Sequence, residues 1–178
     1  MRSRWLTRSE AARLLWASRR TQHLCRFILI GIYTGSRTNN ILGLRWSQID
    51  LAGGIMRRRP YGQAEDARKR APPVRLGRRI LAHLRRWKRL DGARADVVCH
   101  YDGRQIAKLR SSWDRAIRDA GLDGDVTPHV LRHTRATWGL KAGVPIWELA
   151  GHLGMTPATL TRTYGHHSAD FQRNAADF

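Results

Sequence analysis

The chain has 178 residues, with 33 Lys or Arg against 14 Asp or Glu and a formal net charge of +19 at pH 7. That excess is beyond what solubility needs and implies a polyanionic partner, nucleic acid in the first place, with a solvated arginine-rich surface as the bland alternative. No run approaches the ~18 apolar residues of a membrane-spanning helix, and Met1-Arg2-Ser3-Arg4 leads into a polar helix start instead of a signal-peptide core, so a cytoplasmic protein with no membrane partner is expected.

In chain order, Thr7 followed by Glu10 is a capping box that opens a first helix with Ala11, Leu14 and Leu15 on one side. A second helix carries Leu24, Phe27, Ile28 and Ile32 and must stop near Gly35. Ser36 is then expected to cap a short third helix through Asn40 to Leu44, which sets Arg37 in its first turn. The period changes next. Gln48 to Leu51, Ile55 to Arg59 and Val74 to Leu76 read as short strands, with Gly53-Gly54 as the first turn and a long charged connection from Pro60 to Pro72. Ile80, Leu81, Leu84 and Trp87 recur at helical spacing among arginines, the pattern of an amphipathic helix. Ile106, Leu109, Trp113 and Ile117 mark another, ending near Gly121. Thr127-Pro128 reads as an N-cap and first-turn proline for a helix running to about Lys141. Two short helices follow, one around Ile146 to Leu153 and one opened by Thr156-Pro157 that carries Tyr164. Cys25 and Cys99 lack metal-ligand spacing and read as reduced core residues.

His129 and Arg132 stand three apart at a helix start, so they share a face close to unpaired N–H groups and a partial positive charge, a good setting for a phosphate. Taken alone, a capping histidine and a surface arginine would serve as well. The motif His129-Val130-Leu131-Arg132-His133, the separate Arg37 in Tyr33-Thr34-Gly35-Ser36-Arg37, and Tyr164 in Arg162-Thr163-Tyr164-Gly165-His166 together resemble the catalytic domain of tyrosine recombinases, the phage integrase family. The resemblance runs from about Leu6 to about His167.

The resemblance implies that Arg37 and Arg132 clamp a scissile DNA phosphate while Tyr164 attacks it, and planar guanidinium groups suit that task because their paired donors match phosphate oxygens. It also implies a lysine in the sheet hairpin that protonates the leaving 5′-oxygen, a role for which Lys69 is the candidate, although its spacing is shorter than usual. Two positions depart from the family pattern. Met155 stands where Leu-Gly-His or its tryptophan variant is usual, nine residues before Tyr164, and Asn40 stands where an acidic residue often follows the first arginine. His152 is close to the same helix face and either takes over the missing donor role or is merely structural. His129 and His133 have a ligand-compatible spacing, but without HExxH or an acid between them no metal is expected, and no other cofactor.

The expected fold is α+β, mainly helical, with a small three-stranded antiparallel sheet, in one catalytic domain over residues 1–178 that lacks the family's N-terminal DNA-clamp domain. The expected partner is double-stranded DNA, with a free monomer that assembles into a tetramer on it. A type IB topoisomerase-like activity and a decayed, purely DNA-binding recombinase are the alternatives. If phosphate contacts dominate binding, log affinity for duplex DNA should fall with log salt by roughly 0.9 per phosphate neutralised. A titration series by fluorescence anisotropy checks this; a flat response contradicts it.

Overall fold

The computed structural model describes residues 4–59 and 71–165. Helix α1, Arg8–Ser18, begins with the expected capping box, Thr7 and Glu10 each accepting from the other's backbone N–H. The segment before it is fastened to a distant helix: the Leu6 amide donates to Thr134 Oγ1 at 2.9 Å and the Trp138 indole donates to the Leu6 carbonyl at 2.9 Å.

Helix α2, Gln22–Thr34, buries Leu24, Phe27, Ile28, Ile30 and Ile32, so its apolar residues cover more than one side and it runs through the centre. It packs along α6, Val130–Lys141, while α1 lies over α2 and α5, Arg110–Asp119. Between α2 and α5 come the short α3, Thr38–Leu42, a three-stranded antiparallel sheet, and the amphipathic α4, Arg78–Asp91. The sheet has the order β1 (Ile49–Asp50), β2 (Ile55–Met56), β3 (Val74–Arg75), with Ile49 opposite Met56 and Met56 opposite Val74. Ile80, Leu84 and Trp87 of α4 are buried and its arginines are exposed, as the periodicity requires. α7, Ile146–Leu153, and α8, Pro157–Tyr164, close the described chain.

Three local expectations are corrected. Ser36 does not cap α3: its Oγ accepts from Thr34 Oγ1 at 2.8 Å, and Arg37 itself takes the N-cap position, just ahead of the first turn. α6 starts at Val130, with His129 as its N-cap, because Thr127, Pro128 and His129 first form a turn closed by the Val130 amide on the Thr127 carbonyl. A second hairpin, β4 (His100–Tyr101) with β5 (Arg104–Gln105), was not expected; its tight turn has Asp102 and Gly103 at φ 48° and 79°. The expected connection lies outside the described residues from 60 to 70.

The apolar side chains fall into two clusters. The larger one joins α1 to α5, the sheet, and the first turn of α6. The smaller one contains Ala136, Leu140, Leu149, Ala150, Leu153, Leu160 and Tyr164. Cys99 is fully buried in the larger cluster, and burial pushes its thiol up to about 12, as suits an inert core residue.

One buried ion pair ties the larger cluster together. Arg26 of α2 grips Asp91 of α4 with both terminal nitrogens, at 2.7 and 2.8 Å, and also donates to the Val98 carbonyl. Trp46 Nε1 and His100 Nε2 complete the carboxylate's surroundings at 3.2 Å each. Burial alone would raise the Asp91 pKa, but the hydrogen bonds from Arg26 and His100 outweigh it and hold the carboxyl below its usual range. A depressed folded-state pKa contributes stability above the unfolded carboxylate value and loses it as pH falls through the folded one. Asp91→Ala should cost about 3–5 kcal/mol, since it leaves Arg26 buried without its partner. Urea unfolding at neutral pH measures this, and the gap between parent and variant should narrow in acid.

Candidate active site

The turn that ends α2 positions the first arginine. Gly35 caps α2 in the left-handed conformation, φ 61°, and a side chain there would run into Leu153 of α7. That close approach brings Arg37, at the start of α3, beside the beginning of α6 and the end of α7.

Arg132 is 5 % exposed, and its Nη1 donates to two carbonyls, Gly35 and Leu153, at 2.7 Å each. Both acceptors belong to helix C-terminal ends, where the backbone dipole favours a cation. The hydrogen bonds of Arg132 among the described residues both run from Nη1. Burial and the repulsion of Arg37 pull its pKa down to about 10, against the opposing effect of Tyr164, and it stays cationic at neutral pH.

Tyr164, at the end of α8, is 3 % exposed. Its hydroxyl lies within hydrogen-bond distance, 2.9 Å, of His133 Nδ1. Burial raises the Tyr164 pKa while Arg132 lowers it, and the balance is upward, so the phenol is protonated at rest. A protonated phenol needs a proton acceptor before it can act as a nucleophile, and His133 is in contact with it. The rings of His129 and His133 meet edge to face, 4.7 Å apart. His129 is an exposed residue whose ring is partly desolvated; this and the charges of Arg132 and Arg37 lower its pKa.

Of the six residues expected from the sequence, Arg37, His129, Arg132 and Tyr164 thus influence one another in one place, and Lys69 lies outside the described residues. His152 is held differently. Its Nε2 is 3.3 Å from the Tyr33 carbonyl, and burial together with Arg135 and Arg58 pushes its pKa down to about 4, despite the upward effect of that carbonyl. A neutral ring donating from Nε2 has only an acceptor left at Nδ1. Met155 packs against the smaller cluster. Among the described residues, no group of three or more His, Cys, Asp or Glu side chains is arranged to hold a metal, and no helix is long and apolar enough to cross a membrane.

One residue of this neighbourhood escaped the sequence reading. Arg58, just past β2, is 3 % exposed, and its burial and the charges of Arg132 and Arg37 bring its pKa down to about 10. The signal was alternation: Met56 is inward, so Arg58 is too, while Arg57 and Arg59 face out.

The profile of the phage integrase family matches residues 4–170. The chain belongs to that family. It is 28% identical to the integrase of Salmonella phage P22 over 179 residues, covering 93% of this chain and 44% of that protein. It is 31% identical to tyrosine recombinase XerC of Xanthomonas axonopodis pv. citri over 148 residues, covering 80% and 45% respectively. The chain therefore spans less than half the length of either relative. The crystal structure of XerA recombinase superimposes with a TM-score of 0.76 at 26% identity, covering 98% of this chain and 64% of that one.

An anion bound between Arg37 and Arg132 would cancel the charges that depress His129, so its pKa should rise on binding. Proton uptake of this kind makes binding tighter at lower pH through the histidine range. The stabilisation of the protein by inorganic sulfate, whose charge is constant through the histidine range, should grow as pH falls through that range, and grow less in His129→Gln. Thermal melting of both proteins over that range provides the check.

Proposed function

We propose that this chain cleaves and rejoins double-stranded DNA as the catalytic domain of a site-specific tyrosine recombinase. The observation that carries the reading is the position of Tyr164: a buried phenol hydrogen-bonded to His133 and close enough to feel Arg132, the residue whose guanidinium is fixed by two helix ends. Family membership and the +19 charge support it.

In the proposed reaction, Arg37 and Arg132 hold the non-bridging oxygens of the scissile phosphate, with His129 at the same helix start. Fixed cations neutralise the charge that builds on those oxygens during phosphoryl transfer, which removes the need for a metal ion. The Tyr164 oxygen gives up its proton toward His133 and forms a bond to phosphorus. The bond from phosphorus to the 5′-oxygen breaks, Lys69 supplies that oxygen with a proton, and a 3′-phosphotyrosyl link remains. Attack by a 5′-hydroxyl reverses each step, so the covalent intermediate conserves the bond and rejoining needs no ATP. The chain acts as a tetramer assembled on DNA and is monomeric when free, in the cytoplasm.

The test is covalent capture on duplex DNA with a nick near the scissile phosphate. Tyr164→Phe removes one oxygen and little volume, so it should fold and bind DNA but form no covalent adduct on a denaturing gel. Arg132→Ala should also form none. Adduct formation by Tyr164→Phe at the parental rate would refute the mechanism. Because the His152 ring is committed to the Tyr33 carbonyl, His152→Ala should slow capture much less than the roughly 100-fold expected for losing a donor aimed at the reacting phosphate.

A further inference from the structure

Arg58 occupies a costly position. Its Nε donates to the Pro72 carbonyl at 3.0 Å, next to β3, and its Nη1 reaches the Thr34 carbonyl at 3.4 Å, at the C-terminal end of α2. Its Nη2 is buried with no hydrogen-bond partner. Among the described residues no carboxylate pairs with it, and the charged groups that act on it are two more guanidinium groups, Arg132 and Arg37. A buried donor left unpaired and a buried cation among like charges both oppose folding, and an apolar side chain of similar length would remove both costs. The inward phase of β2 makes this an ordinary core position, with Met56 two residues earlier on the same face.

What the arginine does there follows from its two acceptors. It links the sheet to the last carbonyl of α2, one residue before Gly35, which takes a hydrogen bond from Arg132, and three before Arg37. Three guanidinium groups are thereby gathered around the single turn Thr34-Gly35-Ser36-Arg37. We propose that Arg58 is a positioning residue of the phosphate site: it fastens this turn to the sheet and adds a third positive charge behind Arg37 and Arg132, one that a bound phosphate group compensates. The proposal rests on the recombinase reading for the identity of the anion as a DNA phosphodiester. The charge and the unmet donor are independent of that reading.

Two measurements on the full chain separate these claims. Thermal melting is recorded with inorganic phosphate and with chloride at equal ionic strength, for the parent, Arg58→Met and Arg58→Lys. Without phosphate, Arg58→Met should melt at or above the parent, because repulsion and the unpaired donor are gone, yet phosphate should stabilise it less. Arg58→Lys, which keeps the charge, should recover most of the phosphate response. In capture on nicked DNA, Arg58→Met should be slower by about 10-fold, short of the roughly 100-fold typical of a donor that touches the reacting group, and Arg58→Lys should regain part of the rate. If Arg58→Met melts far below the parent, Arg58 is a structural strut and the proposal fails. It fails equally if Arg58→Met keeps both the parental phosphate response and the parental capture rate. A parent that forms no adduct but whose phosphate response depends on Arg58 would overturn the recombinase reading and leave the anion site standing.

Discussion

The geometry of this molecule depends on one guanidinium nitrogen and the two carbonyls it holds. Arg132 Nη1 joins the end of α2 at Gly35 to the end of α7 at Leu153. Each helix presents the negative pole of its backbone dipole there, which offsets a desolvation cost that would otherwise reach several kcal/mol for a buried cation. From Gly35 the chain needs two residues to reach Arg37; from Leu153 it passes through one short turn into the helix that ends at Tyr164. The cationic groups and the phenol are therefore located relative to the same atom, although they come from segments far apart in the sequence.

That arrangement stores electrostatic repulsion. Arg37, Arg58 and Arg132 lower one another's or their neighbours' affinity for protons, and carbonyl oxygens provide the described acceptors of the two buried ones. An enzyme that must stabilise developing negative charge benefits from dipoles and cations already fixed in place, since they need not reorganise during the reaction. The Arg26–Asp91 pair shows the contrasting solution for an arginine as deeply buried, with a carboxylate gripped at both nitrogens. The two sites are in the same protein: a carboxylate faces Arg26, whereas the described acceptors of Arg58 and Arg132 are carbonyl oxygens.

The legibility of these features varied with the physics behind each. The helices with clean apolar spacing, such as Ile80, Leu84 and Trp87, were readable because burial on one face is a periodic signal. Arg132, His129 and Tyr164 stand out in the sequence through a motif, and α6 and α8 bring Arg132 and Tyr164 close enough to influence each other. The cap of α3 was misread because Ser36 had a competing acceptor role toward Thr34, a contact that composition does not reveal. The β4–β5 hairpin was missed since two-residue strands of His, Tyr, Arg and Gln show no alternation of apolar and polar residues, leaving only Asp102-Gly103 as a turn signal. Arg58 was hidden among Arg57 and Arg59, three identical residues of which the pleat buries the middle one.

The division of the core has a consequence for how Tyr164 is kept. Tyr164 belongs to the smaller apolar cluster, built from the later part of α6 with α7 and α8, while most of the chain's buried mass lies in the other. Opening a protein locally costs in proportion to the apolar contacts and hydrogen bonds broken, so different segments open at very different free energies. Releasing α8 would give up Leu160, Tyr164 and the phenol–imidazole hydrogen bond, whereas the bonds of Arg132 to Gly35 and Leu153 lie outside α8. Backbone amides of α8 should then exchange with solvent deuterium far sooner than those of α2, so that the arginine framework stays assembled while the Tyr164 phenol comes and goes.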